Sequence, residues 1–325
     1  MGSAPEWVAG IRRHVNLKQV DAEVQKPVVL GIAGARREAF AAELVRAGAV
    51  RPGALVSAET LDDLGVPSGA ILRTAVYCPE TGSHNGALER AGSLPYAVCV
   101  LRVEGDATGP QPAITAAPAA RPAIGQPAIY PLSVLELSQL RRYMLPDIVR
   151  LYRDHEIALA AAIPAFRPVV AAKLTHDCAM TCLKVAAASA VADHIPVVGL
   201  LVGGITSAGD TIAITALQMR MLLRIAAAYG KKPEFARILE LLPVVGGGYG
   251  WRTLAREASG FIPIAGIPIK AAIAYAGTLV VGQVAAHYYE TGLPMSRGAI
   301  GAAYRDASER AKAFAGRALS KRKRA

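Results

Sequence analysis

Residues 27–105 alternate short apolar runs with mixed stretches. "PVVLGIA" (27–33), "GALVSA" (53–58), "AILRTAVYC" (70–78) and "YAVCVLRV" (96–103) read as strands. "REAFAAELVRAG" (37–48) has helical spacing and stops at Gly48. Strand, helix, strand in this order predicts a small α/β unit with a partly parallel sheet, too short for a complete nucleotide-binding domain. From about residue 131 the pattern turns helical. "SVLELSQLRRYMLPDIVRLYRDHEIALAAAI" is amphipathic, with Arg141, Arg142, Arg150, Arg153 and Glu156 among its polar positions, and "RPVVAAKLTHDCAMTCLKVAAASAVADH" continues the pattern. "TALQMRMLLRIAAAYG" sets Arg220, Arg224 and the following Lys231 on one broad face and stops on Gly230. The last segment spaces Tyr304, Ala307, Ala311, Phe314 and Ala318 at three- and four-residue intervals, the pattern of a cationic amphipathic helix.

The segment 106–129 carries five prolines among Ala and Gly, which excludes a continuous helix and favours an extended tether. The expected organisation is therefore an N-terminal segment (1–26), a small α/β domain (27–105), the Pro/Ala-rich linker (106–129), a helical domain (130–296) and a basic amphipathic tail (297–325).

Two apolar phrases recur, "HIPVVGL" (194–200) and "FIPIAGI" (261–267), each opening a run of small and branched residues. Aligning Ile195 with Ile262 sets Gly199 on Gly266 and Asp210 opposite Gly277, a weak duplication of two helical hairpins. Proline suits a helix start because the first N–H groups there lack intrahelical partners. A membrane span needs roughly 20 predominantly apolar residues. Residues 271–289 hold 19 positions without formal charge, His287 aside, but only Ile273, Leu279, Val280, Val281 and Val284 contribute strongly. At about −0.3 to −0.6 kcal/mol each, that run is marginal for insertion. Asp210 in the first copy opposes it by about 2.5–3.5 kcal/mol, and Lys270 directly precedes the second. The competing reading is a soluble Ala-rich bundle with Asp210 and Lys270 at water-exposed turns.

The formal charge of +11 changes the picture because it is uneven. From Arg297 onward nine Lys/Arg stand against two Asp/Glu, a net of +7. A Lys/Arg-rich end containing Arg317, Lys321, Arg322, Lys323 and Arg324 suits an anionic membrane surface, although a solvated C-terminal helix is the better reading of the tail taken alone. Nucleic acid is disfavoured, since aromatics are sparse among these basic residues and no recognition motif occurs. Cys78, Cys99, Cys178 and Cys182 suggest no disulfide framework, so a reducing compartment is the default. The first 27 residues hold no continuous apolar core, which predicts no secretory signal peptide.

Gly31-Ile32-Ala33-Gly34-Ala35-Arg36-Arg37-Glu38 sits where a phosphate-binding loop would, after the first strand and before a helix. Against G-x-x-x-x-G-K-[ST], Arg36 replaces the second glycine, Arg37 the lysine and Glu38 the metal-binding hydroxyl. Asp62-Asp63-Leu64-Gly65 fits D-x-x-G, a pattern too short to count, and no guanine-reading motif occurs. "GGGYGW" (246–251) lacks dinucleotide-loop spacing. His176, Cys178 and Cys182 cluster on one segment, yet a zinc site needs about four converging ligands, so a small-residue packing face is the better reading. No catalytic, cofactor or metal set stands out. The polar residues set in the apolar helices, Asp210, Lys270, Arg220 and Arg224, are the candidate positions.

The block "TALQMRMLLRIAAAYG" followed by "GGGYGWRTLAREASGFIPIAGIPIKAAIAYAGTLVVGQVAAHYYETG" resembles the GTPase-associated, YcjF-like domain family of unknown function, over about residues 175–292. Members are typically bacterial, are often called inner-membrane proteins, and some carry an intact GTPase domain ahead of this region. The resemblance implies an α+β chain in which 27–105 is a degenerate GTPase- or Rossmann-like unit and the rest a mainly helical hairpin domain with an internal repeat. It implies a non-enzymatic, membrane-associated accessory or regulatory protein on the cytoplasmic side of the inner membrane, peripheral or hairpin-inserted through a transmembrane helix, with a GTPase or a second copy as partner. The alternatives are a nucleotide-binding switch of the GTPase type and a soluble, cytoplasmic oligomerising scaffold. The family has no established catalytic residues, so none is carried over.

Overall fold

The computed structural model describes residues 16–80, 85–103, 121–192, 205–234, 236–237, 240–241 and 267–322. The chain is α+β overall and divides into two compact units. An α/β unit comprises Ala22–Val170 with Ala228–Gly230, and a helical unit the described parts of Met1–Asp21, Ala171–Ala227 and Lys231–Ala325.

The α/β unit holds five strands, β1 (Val28–Ala33), β2 (Leu55–Ala58), β3 (Ile71–Tyr77), β4 (Ala97–Val103) and β5 (Ala128–Leu132). All pair in parallel in the order β2-β1-β3-β4-β5. This is a doubly wound order, with the switch point between β1 and β3. β1 is buried at all six positions, which is why "VVLGIA" is a continuous apolar run rather than an alternating one.

Short helices cover both faces of the sheet. After α1 (Leu17–Val24) the chain enters β1, and α2 (Arg37–Val45) packs on β1 and β2 through Phe40 and Leu44. On one face, α3 (Asn85–Ala91) closes a cluster of Ala33, Leu61, Ala75, Ala91, Tyr96, Val98 and Val100. β3 is lined by α5 (Leu145–Leu151), and β1 by α6 (Glu156–Ala162). Before them stands α4 (Leu137–Tyr143), and after them a 3-10 turn, Pro164–Phe166. The long amphipathic stretch is thus three short helices. Pro146 opens α5, and Asp154 turns the chain with a φ of 67° before α6.

The expected boundary at 106–129 falls inside this unit. β5 follows the Pro/Ala-rich segment and pairs with β4 from Cys99↔Ala128 to Val103↔Leu132, so the sheet resumes beyond it. The sheet is also fully parallel among the described strands, where the sequence suggested a partly parallel one.

One tyrosine repairs an irregularity in the sheet. The β1–β3 register runs Val29↔Leu72 and then Gly31↔Ala75, so β3 sets Arg73 and Thr74 against Leu30 alone. Such a bulge takes backbone groups out of the regular ladder. Tyr152, just past α5, fills the gap: its hydroxyl accepts the Arg73 N–H at 3.3 Å and donates to the Val29 carbonyl. Thr74 Oγ1 donates to the Ala97 carbonyl at 2.8 Å on the other side. Tyr152→Phe is expected to cost about 1–3 kcal/mol, because two buried main-chain groups lose their shared partner. Urea titration of the full chain checks this, and an unchanged midpoint would show that water or neighbouring amides replace the hydroxyl.

The helical unit is built from the C-terminal part of α7 (Arg167–Ala192), from α8 (Ile205–Ala228), α9 (Ile267–Thr291) and α10 (Arg297–Arg322). α8 and α9 support a coarse internal correspondence. They are 24 and 25 residues long, begin 62 residues apart, and stop at Gly230 and Gly292, whose φ angles are 75° and 72°. The "HIPVVGL" phrase and most of "FIPIAGI" lie outside the described residues. Their own offset is 67 residues, five more than that of the helices, because Ile195 precedes α8 by ten residues and Ile262 precedes α9 by five.

The expectation of a transmembrane helix or inserted hairpin is corrected. Among the described residues, no helix is long and apolar enough to cross a membrane. Of the strongly apolar positions of the 271–289 run, Leu279, Val280, Val281 and Val284 are buried in the protein along with Tyr275 and the polar Thr278. Their hydrophobicity is spent on helix packing. The tail behaves similarly where it is described: Ala307 and Tyr304 of α10 pack with Tyr275, Ala276 and Leu279 of α9 and with Ala179 of α7, while Arg305, Asp306, Glu309 and Arg310 face outward. The side chains of Ala311, Phe314, Ala318, Arg317, Lys321 and Arg322, together with Lys323 and Arg324, lie outside the described residues.

Candidate functional site

In an open parallel sheet, ligands bind outside the carboxyl ends of the strands at the switch point. Here that place is the junction of the turn after β1 with the end of β3. β1 continues to Ala33, so only Gly34, Ala35 and Arg36 separate it from α2. A phosphate-binding loop works by aiming free backbone N–H groups at the anion. In this turn Gly34 N donates to Glu59 O at 3.0 Å, Arg36 N to Cys78 O at 3.0 Å, and Arg37 N to Gly34 O at 3.2 Å. Those three amides are committed to the protein's own carbonyls.

The turn also lies directly on the end of β3. Gly34 has a φ of 100°, and a Cβ there would overlap the Cys78 carbonyl oxygen and sit 2.8 Å from its carbon. Cys78 N donates to Ala33 O at 2.7 Å, completing the closure. Burial pushes the Cys78 thiol far above the usual range, so it is an inert core sulfur rather than a nucleophile. Arg37 turns back to the Gly34 carbonyl at 3.3 Å and lies 3.9 Å from Glu59. Glu38 occupies the first turn of α2, where a carboxylate complements the helix dipole and opposes a phosphate. On the neighbouring loop, Asp62 of the D-x-x-G stretch pairs with Arg90 of α3 through Nε at 2.8 Å, and Thr60 binds Asp63. The Arg90 hydrogen bond holds the Asp62 carboxyl below its usual range. These carboxylates therefore serve the loop itself.

A second polar constellation lies in the helical unit, where three helices meet at Thr278. This α9 residue is fully buried; its Oγ1 receives the Gln218 Nε2–H of α8 at 2.9 Å and lies 2.8 Å from the Ala274 carbonyl. Cys178 and Cys182, one turn apart on α7, face the same point. The neighbouring Cys178 lowers the Cys182 thiol against the opposing effect of burial. Cys182 in turn, followed by burial, pushes Cys178 up. His176 turns instead toward Tyr275, with its ring edge-on at 6.3 Å.

Comparison with protein families, curated proteins and solved structures gives no match to this chain. The reading of both constellations rests on their geometry.

Arg220 and Arg224 lie four residues apart on α8, half-buried in a stretch where Met219, Met221, Leu222, Leu223, Ile225 and Ala226 are buried. They form a narrow cationic stripe on an otherwise covered helix. Asp210 and Lys270 fall in the first two turns of α8 and α9, and their side chains lie outside the described residues. Among the described residues, no group of three or more His, Cys, Asp or Glu side chains could hold a metal ion. The Thr278 junction was missed by sequence reasoning. The one-turn spacing of the cysteines was visible, but nothing local linked them to a threonine and a glutamine on two other helices.

Proposed function

We propose that the chain is a non-enzymatic accessory or regulatory protein whose α/β unit retains the frame of a nucleotide-binding sheet without a phosphate cradle. The observation that carries this reading is the closed switch-point turn, with the Gly34, Arg36 and Arg37 amides all donated to main-chain carbonyls and Gly34 packed on Cys78. The sequence departures act in the same direction, since Arg36, Arg37 and Glu38 occupy the motif's glycine, lysine and hydroxyl positions. An accessory role beside a GTPase is what the resemblance of residues 175–292 implies, and it enters as part of this proposal.

Isothermal titration of the full chain with GTP, GDP and ATP in the presence of Mg²⁺ tests the reading. No saturable heat is expected up to millimolar nucleotide. Stoichiometric binding in the micromolar range would overturn it and restore the nucleotide-switch alternative.

A further inference from the structure

We draw no further inference here: the strongest candidate, the side-chain cluster at the start of α7 where the Arg167 guanidinium lies 6.0 Å over the Tyr229 ring with its Nε buried and without a hydrogen-bond partner among the described residues, is a half-buried arginine at a helix N-terminus with no second observation pointing to an anion.

Discussion

Gly34→Ala is expected to remove roughly 4 kcal/mol from the stability of the α/β unit, a large share of the 5–15 kcal/mol typical of a folded domain. Backbone strain contributes first, since the φ of 100° at Gly34 is one an L-residue adopts only at a cost of roughly 1–2 kcal/mol. The larger part is steric. The added Cβ overlaps the Cys78 carbonyl oxygen and lies 2.8 Å from the carbonyl carbon. A side chain could rotate out of the way, but this carbonyl is held by the Arg36 N–H at 3.0 Å, and its residue's own N–H is held by Ala33 O at 2.7 Å. Relief requires the ends of β1 and β3 to part, at about 1 kcal/mol for each hydrogen bond lost. Gly53→Ala is the comparison: its φ is 77°, with no atom of a described residue within 4 Å of the new Cβ, so it carries backbone strain of about 1 kcal/mol alone. Urea titrations followed by circular dichroism should separate the two variants by several kcal/mol. Equal losses would mean that closure against Cys78 is not what this glycine provides, and would reopen the switch point as a binding site.

The closure shows where a sequence pattern stops carrying information. β1 was legible to its end because a fully buried strand of a parallel sheet is an unbroken apolar run, and β3 and β4 were nearly so although Arg73, Thr74 and Arg102 interrupt theirs. β5 was not. Pro127 precedes it and Pro131 lies within it, and proline argues against a strand except at a sheet edge, which is where β5 sits. The Pro/Ala-rich segment read as a tether between domains because composition reports local stiffness, whereas the return of the chain to the same sheet is a long-range event. The phosphate-loop substitutions were visible from spacing alone. That the amides of the turn are consumed by Glu59 and Cys78 depends on strands far along the chain. Tyr152 is a sharper case: its hydroxyl serves a bulge between β1 and β3 while its own segment reads as an ordinary amphipathic helix. For the helical unit, apolar density suggested a bilayer, yet the same residues face neighbouring helices. Hydropathy cannot distinguish these two apolar environments when small residues dominate the run.

Gly282→Ala and Gly277→Ala, five residues apart on α9, are expected to change stability in opposite directions. Glycine in a helix interior costs about 1 kcal/mol relative to alanine, so propensity alone favours both substitutions. At Gly277 no atom of a described residue lies within 4 Å of the added Cβ, and the variant should gain up to about 1 kcal/mol. At Gly282 the Cβ would overlap Thr175 Oγ1 and Cγ2 and lie 2.8 Å from its Cβ. Rotating the Thr175 side chain moves the first two atoms but not the third, so α7 and α9 must separate. Overpacking of this kind typically costs about 1–3 kcal/mol, and at three contacts it outweighs the propensity gain, for a net loss of about 2 kcal/mol. Thr175→Ala in the Gly282→Ala background removes the Oγ1 and Cγ2 overlaps and should recover part of the loss, with a coupling of about 1 kcal/mol in the double-mutant cycle. Thermal unfolding of the four proteins measures all of this. If both glycine substitutions stabilise the chain, the notch that receives Thr175 does not set the spacing of α7 and α9. If the signs differ, that spacing is fixed one turn from Thr278, where Gln218 of α8 also reaches α9.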